Sequence, residues 1–166
     1  MPLYSSLAIA NEFIERGANS NLPVTQMHLQ KLLYIAHGWN LAIHNKALVE
    51  DPFEAWEYGP VVRKLYDAVR RYGRSSISKL LRWGDDTDFP FDDGGIARAN
   101  LTNEERAIVD KVWATYGHLE AFKLSALTHA DRSPWARTYV PGKNRPIENN
   151  LIQDYFVELA LTNRAA

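Results

Sequence analysis

The chain contains no cysteine in 166 residues, so it can form no disulfide framework and offers neither a thiol nucleophile nor a thiolate metal ligand. It also lacks any stretch approaching the roughly 18 or more uninterrupted apolar residues of a membrane-spanning helix. Its densest apolar run, Leu32 to Ala36, stops at His37. No positive residue precedes the first apolar stretch and the first charge of either sign is Glu12, so the N-terminus does not read as a secretory signal and the expected compartment is the cytoplasm. Charge of one sign is missing too. Nineteen basic against twenty acidic residues leave a formal charge of −1, which excludes nucleic-acid affinity driven by bulk charge and leaves open a local basic patch.

Catalytic and cofactor motifs are equally scarce. None of the five histidines falls into HExxH; His37 and His44 share a helix flank two turns apart, about 10 Å along the axis, too far for joint ligation without a third element. There is no GxSxG, no GxxxxGK[ST] and no GxGxxG; the serines fit turns and caps, and pairs such as Asp85/Asp86 and Asp92/Asp93 fit hydrated loop charge. No catalytic residue, metal ligand or cofactor is expected, and the chain reads as a binding protein rather than an enzyme.

What is present is a globular composition, 46% apolar and 23% charged, in a length that fits one domain over residues 1–166. Residues Leu7, Ile9, Ala10, Phe13 and Ile14 share one side of a first helix that Gly17 stops. Thr25 caps a second helix whose Leu29, Leu32, Leu33, Ile35, Ala36, Trp39 and Ile43 cover about 160°, wider than a surface helix needs, which predicts the central core helix. Residues 45–59 lack a helical stripe, contain Pro52 and predict either a short extended segment or a short β-hairpin. Pro60 opens a helix with Val61, Val62, Leu65, Tyr66, Val69 and Tyr72 inward, ended by Gly73. A short helix from Ser75 to Trp83 and a loop from Gly84 to Asn100, the most mobile region expected, come next. Thr102 and Glu105 form a capping box for a helix closed by Gly117, a shorter helix runs through Phe122, Leu124 and Leu127, Ser133 and Pro134 start another turn, and a last helix begins near Asn150. The fold class is therefore mainly α: a compact single-domain bundle of about six to eight helices with one short hairpin.

Charge is distributed unevenly along this frame. From Arg63 to Arg82 seven basic residues (Arg63, Lys64, Arg70, Arg71, Arg74, Lys79 and Arg82) meet one acidic, Asp67, and the aspartate-rich segment Asp85 to Asp93 follows. On a helical wheel Arg63, Lys64, Arg70, Arg71 and Arg74 lie within about 120°, opposite the apolar face. Such a stripe is either a solvated face neutralised by the acidic loop or a docking surface for an acidic protein or a phosphate backbone. Two of the five tryptophans, Trp56 and Trp135, fall in turns or helix starts and carry ring N–H groups that need partners when buried.

The run LQKLLYIAHGWNLA at Leu29 to Ala42, EAWEYGPVVRKLY at Glu54 to Tyr66, LTNEE from Leu101, LSALTH at Leu124 to His129 and SPW at Ser133 to Trp135 together resemble the Panacea domain, also called SocA-like and associated with phages and mobile elements. Five collinear segments span nearly the whole chain, AWEYGPVV being the most specific. The resemblance implies a bacterial antitoxin of a two-gene toxin–antitoxin pair that neutralises a cognate protein toxin by binding, and it brings no catalytic residues. In YGPVV, Gly59 allows a close backbone approach and Pro60 starts the helix, so Trp56, Tyr58, Gly59, Pro60, His129 and Trp135 are expected to be architectural, with Trp56 and Trp135 packing at the ends of the arrangement and His129 bonding a backbone group. Partner choice is expected in the surface around them, including Gly84 to Asn100. Two other readings stay open: a nucleic-acid-binding regulator placing Arg63, Arg70, Arg71 and Arg74 on phosphates, and an adaptor that delivers the toxin to a protease.

Overall fold

The computed structural model describes residues 3–87 and 94–165. In chain order it forms α1 (Ser6–Asn19), α2 (Gln26–His44), β1 (Glu54–Trp56), β2 (Gly59–Val61), α3 (Arg63–Val69) continued by a 3-10 turn (Arg70–Tyr72), α4 (Asn103–Tyr116), α5 (Ala121–Thr128), α6 (Pro134–Thr138) and α7 (Asn149–Ala165). The mainly α bundle with one hairpin is as the sequence predicts.

Helix α2 is the axis. It touches α1, α3, α4, α5, α7 and β2, which explains an apolar arc too wide for a surface helix. Leu29, Leu32, Leu33, Tyr34 and Ala36 are fully buried, and Tyr34 meets Phe53 and Phe156 edge-on at 5.3 and 5.9 Å. The arc fades at the last turn, where Ile43, expected in the core, is 58% exposed. Gly38 lets α7 approach closely: a Cβ there would overlap the Phe156 ring. Buried His37 ties three segments together. Its Nδ1 accepts from the Leu48 and Val49 amides at 3.3 and 3.2 Å, so the proton sits on Nε2, which donates to Asn149 Oδ1 at 2.9 Å.

The caps read from the sequence are present. Thr25 accepts from the His28 amide, Thr102 and Glu105 cap each other's backbone N–H groups, and Ser133 accepts from Ala136 N with Pro134 in the first turn. Glu105 also accepts from the Tyr4 hydroxyl at 2.7 Å; burial, then this carboxylate, push that phenol up to about 12.

Four local expectations are corrected. Helix α1 passes through Gly17 to Asn19, because Gly17 is a packing position where a Cβ would stand 2.7 Å from the Leu22 carbonyl. The hairpin lies at residues 54–61 rather than 45–59. Pro60 therefore sits in β2, opposite Ala55, and the helix starts at Arg63; β2 is the edge strand of the ribbon, and an edge strand tolerates a residue without N–H. Ser75 to Trp83 is not helical. Ile77 and Leu81 have the i, i+4 spacing of a helix face and are both buried, but the chain runs across α1 and is held by its buried Asn11. That side chain accepts from Leu81 N at 2.7 Å and donates to the Leu81 and Ala97 carbonyls at 2.9 Å each. Of the loop Gly84 to Asn100, including its expected mobility and role in partner choice, residues 88–93 lie outside the described residues.

Candidate functional site

The segment EAWEYGPVV builds a small ribbon with Glu54 opposite Val61, Ala55 opposite Pro60, Trp56 opposite Gly59, and Glu57 and Tyr58 at the turn. A two-stranded hairpin is marginal by itself. Here side chains from three helices take up alternate carbonyls. Trp135 Nε1 of α6 donates to Trp56 O at 2.6 Å, Ser125 Oγ of α5 to Tyr58 O at 2.8 Å, Lys31 Nζ of α2 to Pro60 O at 2.9 Å, and Gln30 Nε2 of α2 to Val62 O at 3.1 Å. Gln30 Oε1 also accepts from Val62 N at 2.9 Å. On the other side Ala55 N donates to Arg145 O and Ile147 N to Phe53 O. Gly59 has φ +116°, where L side chains are strained, and a Cβ there would stand 2.9 Å from Lys31 Nζ and 3.2 Å from Thr128 Oγ1.

The two tryptophans hold the ends, and both ring N–H groups find partners. Trp56 donates to Glu54 Oε1 at 2.8 Å, packs on Tyr66 at 4.9 Å and lies under the Arg63 guanidinium at 5.1 Å. Trp135 stacks on Tyr139 at 4.6 Å and meets the His129 ring at 5.2 Å. His129 reaches a side chain rather than the expected backbone group: its Nδ1 is 3.3 Å from Ser125 Oγ. Because the Ser125 proton is used on Tyr58 O, Nδ1 must be the donor in that contact.

Beside the ribbon lies a cavity of about 570 Å³ between α2, the hairpin and the end of the 3-10 turn. Trp56, Tyr66, Val61 and the exposed Tyr58 give it an apolar and aromatic wall; Lys31, Gln30, Arg74 and Glu57 contribute polar groups. Lys31 is 1% exposed. Its ammonium donates to the Pro60 carbonyl, and no carboxylate among the described residues is within ion-pair distance of it. Burial without a counter-charge pushes the Lys31 amine down to about 7. The cavity thus combines aromatic surface with an amine whose protonated form has two N–H donors unspent on the protein.

The basic stripe does not survive as one face. The α-helix ends at Val69 and tightens into the 3-10 turn, and Gly73 at φ +55° turns the chain, so Arg70, Arg71 and Arg74 leave the wheel that Arg63 and Lys64 begin. Arg63 is bound to Glu54 at 3.2 Å over Trp56, and Arg71 is 3.9 Å from Asp85 and over the Tyr72 ring. Lys64 is half-buried; Arg70 is exposed; Arg74, also exposed, lines the cavity. Among the described residues no group of three or more His, Asp or Glu side chains is placed to hold a metal ion, and no helix is long and apolar enough to cross a membrane. Gln30, Lys31 and Ser125, which hold the hairpin, were not singled out by motif reading. Periodicity carries no signal for Gln30 and Lys31: on the helical wheel both fall outside the apolar arc of α2, and it is the hairpin packed on that flank that buries them.

Fold and site together define a small mainly α domain organised about a central helix and a caged β-hairpin. The family described as antitoxin SocA-like, Panacea domain, matches residues 29–136, and the chain belongs to that family. Antitoxin SocA of Caulobacter vibrioides (strain NA1000 / CB15N) is 30% identical over 129 residues, covering 77% of this chain and 66% of that protein, just under two thirds of its length. No solved structure matches the chain.

Proposed function

We propose that this protein is the antitoxin of a bacterial toxin–antitoxin pair and that it neutralises a cognate protein toxin by direct, non-catalytic binding in the cytoplasm. The observation that carries the reading is the family match over residues 29–136, which contains the whole caged hairpin and most of the cavity wall. The geometry supports it: an exposed Tyr58 on a backbone fixed by side chains of three helices is a rigid contact element, and Tyr and Arg are common interface hot spots. The separate tethering of Arg63 and Arg71 favours a protein partner over a phosphate backbone, which a continuous stripe would suit better.

Expression of the adjacent gene product with and without this chain tests the proposal. The expected result is growth arrest by the neighbour alone, rescue on co-expression and co-purification of the two. A harmless neighbour, or a toxic one that forms no complex, overturns it. If rescue instead requires a protease and lowers the amount of toxin, the chain acts as an adaptor.

A further inference from the structure

The cavity beside the hairpin is built for more than support. A lysine needed only to hold Pro60 O would use one of its three N–H groups, and a neutral side chain would do so without placing an ammonium in a desolvated site. Gln30, the neighbouring polar residue, is engaged with Val62 through both its amide nitrogen and its oxygen. The second basic residue, Arg74, lines the same cavity with its side chain exposed, as does the one carboxylate of the lining, Glu57, so two basic groups face one acidic. The volume, about 570 Å³, is in the range of ligand sites and exceeds one side chain, and Trp56 and Tyr66 offer flat surface for an aliphatic stem. The border is continuous with the outer surface through Tyr58, which is 64% exposed. A macromolecule covering the hairpin tip would therefore also cover the cavity.

We propose that this cavity is an anchor site for a carboxylate, presented by an aspartate or glutamate on a segment of the partner protein, with Lys31 at its base and Arg74 at its mouth. Charge complementarity selects the acidic residue, and the aromatic wall packs the methylene groups that carry it. This rests on the antitoxin reading and adds to it the chemistry of the partner segment.

The test uses the full chain and the protein encoded by the adjacent gene, with binding measured by calorimetry for the wild type, Lys31→Met and Arg74→Gln. Lys31→Met replaces a buried amine by an apolar side chain of similar length; if it does not fold, Arg74→Gln, on an exposed side chain, carries the test. The expected result is a loss of at least tenfold for Lys31→Met and about three- to tenfold for Arg74→Gln, with unchanged circular dichroism. One acidic residue of the partner, found by alanine scanning, should then show no further loss when combined with Lys31→Met. If the wild type binds and both variants bind equally well, the anchor site is refuted while the antitoxin reading stands. If the wild type does not bind, both fall together. If N-acetylglutamate binds the cavity at micromolar concentration without competing with the partner, the site belongs to a free small carboxylate and the partner-borne version is wrong.

Discussion

Lys31 makes a quantitative prediction about stability that needs no partner. Its amine is pushed down from 10.5 to about 7 by burial, so between those pH values the unfolded chain holds a proton that the folded chain does not. Folding stability must then rise with pH, by up to about 1.4 kcal/mol for each pH unit. The cost of burying the ammonium is fully present below about 7 and disappears as the pH approaches 10.5. The charged groups near Lys31 are Glu57 on the hairpin turn and Arg74 after the 3-10 turn; the residues that α2 and α5 place there, Gln30, Ser125 and Thr128, are neutral. Neither charged neighbour pairs with it. Lys31→Met removes the titration and leaves the Pro60 carbonyl without its donor, a loss of about 1–3 kcal/mol. Urea denaturation of wild type and variant at half-unit steps from pH 7.5 to 9.5 should show the wild type gaining on the variant by roughly 2–3 kcal/mol across that range. Other lysines and tyrosines titrate in both proteins and cancel in the difference. Two parallel curves would refute the argument, because they would mean that Lys31 keeps the same proton in the folded and unfolded chain.

At the acid end His37 should act in the same sense: burial holds it at about 4 against an ordinary 6.5, so stability is lost as pH falls through that window, by roughly 2–3 kcal/mol, and a His37→Gln variant should show a flatter urea-midpoint profile between pH 6.5 and 4.5. Gly38→Ala should destabilise by about 2–3 kcal/mol in thermal unfolding although alanine favours helices by about 1 kcal/mol, because its methyl would overlap the Phe156 ring; a neutral or stabilising effect would contradict the packing of α2 on α7. Asn11→Ala should cost on the order of 3 kcal/mol and speed amide exchange at Leu81 and Ala97, since it leaves the Leu81 amide and the Ala97 carbonyl without partners and the Leu81 carbonyl with the Ala97 amide alone.

The elements legible in the sequence are those whose cause is local. Apolar spacing marks α1, α2, α4 and α7, and the hydroxyls of Thr25, Thr102 and Ser133 mark helix starts, because period and cap act within a few residues. Errors fall where a distant contact decides. Pro60 suits the first turn of a helix and an edge strand equally well, and Lys31 and Gln30, some thirty residues away, settle it for the strand. The i, i+4 pair Ile77 and Leu81 looks helical until Asn11 supplies the bonds that an extended backbone needs. The arginine wheel assumed 100° per residue past Val69, where the helix tightens. At the site, the quoted segments contain every side chain that cages the hairpin, Gln30, Lys31, Ser125 and Trp135, but which carbonyl each one bonds is decided by contacts some thirty to eighty residues apart in sequence, which no local pattern carries.

The caging also bears on how a partner would be held. Four side-chain donors at about 1 kcal/mol each give an otherwise marginal ribbon a fixed position, so ordering it on contact with a partner costs little. The same bonds shape the cavity, because the carbonyl that orients Lys31 belongs to the residue after Gly59, and the absent Cβ of Gly59 is what lets Lys31 Nζ lie against the turn. Gly59 and Lys31 are thus one device. A side chain at Gly59 would displace the ammonium from Pro60 O and narrow the cavity at once, so Gly59→Ala should lose partner binding together with hairpin stability, whereas Arg74→Gln, on an exposed side chain that bonds no hairpin carbonyl, should lose binding alone.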